Sequence, residues 1–167
     1  MSKELKYILC VIICGAVIFG LVKGYNKFFS SNSASAFEWE KQVNVYFGNS
    51  KMGSSEDCSK VFPVSRTILN AETFGPGALE ALLNGVSKKE KESGYFTSLN
   101  DKILLQKFEI KDKVAYVDFN SKFNEGVAGS CKVTAIKSQI KTTLNNLSDI
   151  DSVVLSINGQ TEGILEP

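Results

Sequence analysis

Apolar and polar residues alternate in several short runs of this chain, and in two longer runs apolar residues return every three or four positions. The run KQVNVYFG (41–48) places its two valines and its phenylalanine on one side, which predicts a half-buried β-strand. The run VFPVSRTI (61–68) predicts a second, short extended piece, which Pro63 keeps near a sheet edge.

A first helix is predicted to open with Pro76, because proline suits a first helical turn, and GALEALLNG (77–85) continues it until Gly85. Ser87 and Glu90 have the S-x-x-E spacing of a capping box, which predicts one further short helix ending at Gly94.

The second half of the chain predicts two strands, a long helix and a last strand. KILLQKFEI (102–110) and VAYVDFN (114–120) alternate and are separated by a short turn, as in a hairpin. Apolar residues spaced by three and four between 133 and 147 predict a helix. DSVVLSI (151–157) then predicts a strand, and Asn158-Gly159 a hairpin turn.

This order of elements predicts an α+β fold. We expect a small mixed or antiparallel sheet of three to five strands with two helices packed on one face. The domain is expected to occupy residues 41–167.

The N-terminal part of the chain predicts a membrane anchor. After a tail of residues 1–6, residues 7–22 carry no charge and approach the length needed to cross hydrocarbon, so we expect a transmembrane signal-anchor there. Residues 23–40 form the expected juxtamembrane linker, with lysines and aromatics followed by SSNSASA. The alternative is cleavage after Ala36, at an A-x-A site that is distant from the apolar run.

The amino-acid composition limits the partners and cofactors that can be expected. The chain has 19 basic and 18 acidic residues, which gives no reason to expect nucleic acid as a partner. It has no histidine, which removes the usual general base and metal ligand, so neither a metal nor a cofactor is expected. Cys10 and Cys14 lie on one face of the expected anchor helix, where lipid contact, acylation or a covalent dimer would all fit.

Cys58 and Cys131 lie in the polar body of the chain, and four roles compete for them. A catalytic thiolate at a helix start would lack a histidine to shuttle protons, and a zinc site would lack half its ligands. Buried free thiols remain an alternative. A Cys58–Cys131 disulfide fits best, because an anchor of this kind usually delivers the following domain to an oxidising compartment.

The body resembles the GerMN domain of bacterial sporulation, spore-germination and envelope proteins. The resemblance rests on ALEALLNG followed by KEKESGYFTSL, on VAYVDFNSKF, and on the stretch from GSCKVTAIK to SINGQ, and it covers about residues 41–165. The chain departs from the family pattern at Val86-Ser87, where Pro-Thr is usual, and at Lys113, where a turn glycine is common. The resemblance implies a membrane-attached, extracytoplasmic module without known catalytic residues, similar to the ring-building modules of envelope-spanning complexes.

Two classes of function are weighed. The first is a non-catalytic interaction module that binds an envelope protein, a second copy of itself or a cell-wall polymer, with exposed strand edges and the Lys88–Glu92 turn as candidate surfaces. The second is a glycan hydrolase that uses Asp118 and Glu109, with Ser130 near a helix start. Capping and solvent-facing roles explain those two carboxylates better, and DFNSKFNEG (118–126) lacks the spacing of a calcium loop.

Overall fold

A computed structural model describes residues 40–69 and 74–166 of the chain. In chain order the elements are β1 (Glu40–Asn49), β2 (Phe62–Leu69), α1 (Phe74–Leu83), α2 (Lys88–Glu92), β3 (Tyr95–Phe96), β4 (Leu105–Lys111), β5 (Val114–Phe119), a 3-10 turn (Ser121–Phe123), α3 (Ser130–Asn145) and β6 (Ser152–Ile157). None of the helices in these ranges is long and apolar enough to cross a membrane. The anchor expected at 7–22 and the linker before residue 40 lie outside the described residues, so both remain predictions.

The α+β class is confirmed, but the strands form two sheets instead of one. The first sheet has the order β2-β1-β3 and the second the order β4-β5-β6. The expectation of a single sheet covered by two helices on one face is therefore wrong. β1 lies between β2 and β3 and pairs with β3 only through Gly48 and Asn49. No described strand of this sheet pairs with β4, β5 or β6, so the strands form two sheets.

The second sheet contains a parallel pair. β4 and β5 form the expected antiparallel hairpin, whereas β5 and β6 run parallel along their whole length, from the Val114–Ser152 pair to the Phe119–Ile157 pair. Parallel strands need a long crossover, and α3 supplies it.

The turns follow the local sequence signals. Ser87 and Glu90 form the predicted capping box at the start of α2. Gly85 has a φ of 73°, as the C-terminal stop of α1 requires. Asn158 and Gly159 both have positive φ, as expected of an Asn-Gly turn, but the returning chain makes only an Ile157–Gln160 bridge.

Both sheets share one hydrophobic core with α1 and α3. Its largest fully buried apolar side chains come from β1, β5, the 3-10 turn, the helices and two loops: Phe47, Phe119, Phe123, Leu79, Leu82, Ile136, Ile140, Leu144, Ile150 and Leu165. α3 also contacts the edge of β1 through a polar group, because the buried Thr143 hydroxyl accepts a hydrogen bond of 3.0 Å from the Tyr46 backbone N–H. This bond satisfies a strand N–H that has no neighbouring strand, and it joins residues 97 positions apart in sequence.

Candidate functional site

The structure joins Cys58 to Cys131 in a disulfide, with the two Cα atoms 5.4 Å apart and 73 residues of separation. Cys58 lies in the loop that precedes β2, and Cys131 lies in the first turn of α3. The bond therefore ties the approach to the first sheet to the start of the crossover helix. This arrangement gives the pair a structural role in place of a nucleophilic one.

The two carboxylates considered for hydrolysis, Glu109 and Asp118, both line a cavity of about 440 Å³ on the second sheet. Glu109 lies between Lys107 and Lys111, whose ammonium groups are 3.2 and 3.0 Å from its oxygens. The hydrogen bonds from Lys111 and then Lys107 hold the pKa of Glu109 below its usual value, so it remains ionised and is a poor proton donor.

Asp118 has a local structural task. Its Oδ1 accepts hydrogen bonds from the Ser156 hydroxyl at 2.6 Å and the Gly159 backbone N–H at 2.8 Å. These bonds link β5, β6 and the following Asn-Gly turn. The sequence predicts that Asp118 caps the turn into NSKFNEG directly after it, but Gly159 belongs to a turn 41 positions away. Ser130, the third residue considered, is the first residue of α3. Residues 40–69 and 74–166 contain no group of three or more acidic, cysteine or histidine side chains that could hold a metal ion.

The outer edge of β2 is a candidate surface for strand pairing. β2 ends its sheet, as Pro63 predicts. Tyr46 lies opposite Pro63, and its N–H turns away from β2 toward α3. Since outward and inward groups alternate along an antiparallel strand, the backbone groups of Ser65, Thr67 and Leu69 also face outward.

Part of this edge is already occupied. The Ser65 carbonyl accepts a hydrogen bond of 3.2 Å from Arg66 Nη1, which leaves Thr67 and Leu69 as the open end of the strand. Leu69 is 52% exposed, so an apolar side chain accompanies the unpaired backbone. An exposed edge of this kind can accept a strand from another chain.

An ion pair supports β2 from the side of α2. The Arg66 guanidinium donates to the two Glu90 oxygens at 2.7 and 2.8 Å and to the Gly85 carbonyl at 3.2 Å. The Arg66 hydrogen bonds are the main reason why the pKa of Glu90 falls to about 2. Glu90 was predicted only as a helix cap, and no local sequence signal connects it with a strand residue 24 positions earlier. The Lys88–Glu92 turn therefore helps to hold β2 in place through Glu90, although its lysines are exposed.

A cavity of about 530 Å³ lies beside the disulfide, which forms part of its wall. Exposed Lys60 and Lys132 and the fully buried Gln139 also line it. The sequence reasoning did not identify this cavity. The sequence contains one signal that could have indicated it, namely Gln139, a polar residue three positions after Ile136 within the apolar stripe of α3.

The fold and the sequence together define the class of this domain, an α+β module built on two small sheets and a crossover helix. The chain belongs to the Germane family, described as sporulation and spore germination, whose family model matches residues 44–163. The predicted resemblance to GerMN domains is thereby confirmed. A comparison with curated proteins finds no match.

Solved structures include GerMN domains with the same fold. The tandem GerMN domains of the sporulation protein GerM from Bacillus subtilis are 25% identical to this chain, with a TM-score of 0.57 over 73% of this chain and 40% of that one. The first GerMN domain of the same protein is 21% identical, with a TM-score of 0.49 over 72% of this chain and 85% of that one. This chain therefore spans less than half the length of the tandem protein that it matches.

Proposed function

We propose that this chain is a membrane-anchored, extracytoplasmic docking module without catalytic activity, which works in envelope assembly or in a sporulation- or germination-type complex. The family description and the name of the Bacillus subtilis protein support the cellular setting. A strand of another envelope protein, or of a second copy of this chain, would bind along the outer edge of β2.

The observation that carries this proposal is the unpaired end of β2. Within the described part of the chain no strand pairs with the outward backbone groups of Thr67 and Leu69. Arg66 is held by Glu90 of α2 and by the carbonyl of Gly85, which follows α1, so the strand is fixed in place before any partner arrives. Pre-organisation of this kind reduces the entropy cost of binding.

Two observations support the extracytoplasmic location. The uncharged run at residues 7–22 precedes the domain, and the domain contains a disulfide, a bond that persists in oxidising compartments. A cysteine introduced at exposed Lys141 tests the location, because a membrane-impermeant maleimide should label Lys141→Cys in intact cells whose wall has been removed. Labelling that requires lysis would contradict it.

The hydrolase alternative has weaker support. A glycosidase needs one carboxyl group that stays protonated until it donates its proton. Glu109 has the opposite property, since two lysines stabilise its ionised form. Asp118 already accepts two short hydrogen bonds. We therefore assign this face of the second sheet no catalytic role.

The docking proposal is tested with a matched pair of substitutions at one position. Thr67→Pro removes an outward N–H without removing a bond of the β1–β2 ladder, because the Thr67 N–H faces away from β1. Thr67→Val keeps that N–H. Both variants lose the 3.2 Å hydrogen bond from Gln42 Nε2 to the Thr67 hydroxyl, so this loss is the same in each.

Full-length tagged protein would be cross-linked in cells and purified from membranes with its partners, after equal thermal unfolding midpoints have shown that both variants fold. We expect Thr67→Val to recover the partner bound by the unmodified protein and Thr67→Pro to lose it. Equal recovery by both variants would contradict docking on this edge, and recovery of no partner by any form would contradict the interaction function itself.

A further inference from the structure

The cavity beside the disulfide combines apolar walls, two exposed cationic side chains and a buried amide group without a partner. We propose that it binds the carboxylate group of a small apolar ligand, supplied either by a free amino-acid derivative or by the C-terminus of a peptide. This site uses none of the β2 edge groups, so it stands independently of the docking proposal.

Gln139 provides the strongest indication of a ligand. It is 0% exposed, and its Oε1 accepts hydrogen bonds from the Thr97 hydroxyl at 3.1 Å and the Ser98 N–H at 3.4 Å. These bonds fix which end of the amide is the donor. Among the described residues Gln139 Nε2 has no hydrogen-bond partner. A buried donor left unsatisfied costs about 1–3 kcal/mol, and a ligand oxygen in the cavity would remove that cost.

The start of α3 adds a positive field at the same cavity. This 16-residue helix has no acidic residue in its first turn, and Gly129 at its N-cap makes no side-chain capping bond. Gly129, Cys131 and Lys132 line the cavity. The first N–H groups of a helix and its dipole favour an anion, so an uncapped first turn suits a carboxylate.

The charged side chains of the lining have one sign. Lys60 and Lys132 are exposed residues of the lining, and none of the described residues that line the cavity is a carboxylate. The Lys132 ammonium donates to the Gly126 carbonyl at 2.9 Å, and an ammonium has three donors, so two remain for a ligand. A carboxylate therefore complements this opening, whereas a cationic group would be repelled.

The other residues that line the cavity indicate the size and polarity of the rest of the ligand. Val61, Phe96, Ala128 and Ala135 contribute apolar surface, and a volume of about 530 Å³ suits a ligand of a few residues at most. A methyl or short aliphatic side chain next to the carboxylate fits this lining.

The test uses full-length, isotopically labelled protein and NMR detection of the Gln139 side-chain amide together with the backbone amides of residues 129–132. The first probes are N-acetyl-L-alanine and its uncharged amide, N-acetyl-L-alaninamide. We expect a saturable shift of both sets of signals with the acid and no saturable shift with the amide. Lys60→Gln and Lys132→Gln should each weaken binding by about fivefold at low salt, the effect of removing one nearby charge, and Lys141→Gln on the same helix should not.

A second pair of probes distinguishes the two sources of the carboxylate. Acetyl-trialanine with a free C-terminus, compared with its amidated form, should bind more tightly than N-acetyl-L-alanine if the source is a peptide end, and no more tightly if it is a free amino-acid derivative. Gln139→Glu replaces the donor by an oxygen and should abolish binding. If that variant does not fold, the two lysine variants still decide the question.

Three results would overturn the proposal. These are the absence of a saturable shift with the acid up to tens of millimolar, binding of the amide as tight as that of the acid, and unchanged affinity in both Lys60→Gln and Lys132→Gln. A long-lived water bound to the Gln139 amide, in protein that shows no shift with any probe, would identify water as the missing partner and would equally refute ligand binding.

Discussion

Removal of the Cys58–Cys131 disulfide should destabilise the domain strongly. The bond closes a loop over a sequence separation of 73 residues. In the chain-entropy model a loop of that length contributes about 4 kcal/mol at 25 °C, because cross-linking restricts the unfolded chain. Small domains have a total unfolding free energy of only about 5–15 kcal/mol, so the double variant Cys58→Ser and Cys131→Ser should remain folded with a much reduced margin.

Urea unfolding of a fragment spanning residues 37–167, followed by circular dichroism, measures this loss. With a slope of about 2 kcal/mol per molar urea, the midpoint should fall by about 2 M. The unmodified fragment in excess thiol reductant should unfold at the same midpoint as the double variant, and the reductant should leave the double variant unchanged. A midpoint shift below about 0.5 M would refute the entropic argument. Alkylation of free thiols at both positions in oxidised protein would refute the bond itself.

Three further substitutions probe the packing and charges of the fold. Because the Arg66 guanidinium lowers the pKa of Glu90 to about 2, this pair should stabilise the protein above pH about 4.5 and lose that contribution as the pH falls toward 2. In urea titrations Glu90→Gln should therefore lose about 1–3 kcal/mol of unfolding free energy at pH 7 and much less at pH 3. An equal loss at both pH values would exclude an ionic origin. A Cβ at Gly48 would overlap the ring of Phe96, so Gly48→Ala should lower the unfolding free energy by about 1–3 kcal/mol. In a double-mutant cycle, adding Phe96→Ala should recover part of that loss. If the two losses simply add, the ring moves away freely. Ile140 is fully buried on α3, and Ile140→Ala should cost about 2–5 kcal/mol by urea unfolding, whereas a cost below 1 kcal/mol would contradict its place in the core.

The local elements of this fold could be predicted from the sequence because their signals are local. The Ser87–Glu90 spacing specifies a capping box, and Asn158-Gly159 specifies a turn with positive φ. The periodic apolar residues of α3 identify its buried face. In each case the residues that carry the signal lie within a few positions of one another, so the chain needs no distant partner to form the structure.

The arrangement of the strands could not be predicted in the same way. Nothing in the alternation of DSVVLSI distinguishes a strand that pairs parallel from one that pairs antiparallel, since both bury every second residue. The division into two sheets depends on strand pairings between residues far apart in sequence, such as Gly48 with Phe96. The contacts of the candidate site are equally distant in sequence, as the 41 or 42 positions between Gln139 and its partners on the loop after β3 show.

The parallel pairing of β5 with β6 also limits when the protein can finish folding. The chain is synthesised from its N-terminus, and β6 is the last strand of the domain in chain order among the described residues. Until that strand emerges, one side of β5 lacks its neighbour over all six of its paired positions. Nascent chains, and products truncated before β6, should therefore expose an unpaired strand edge to chaperones and proteases until β6 has been synthesised.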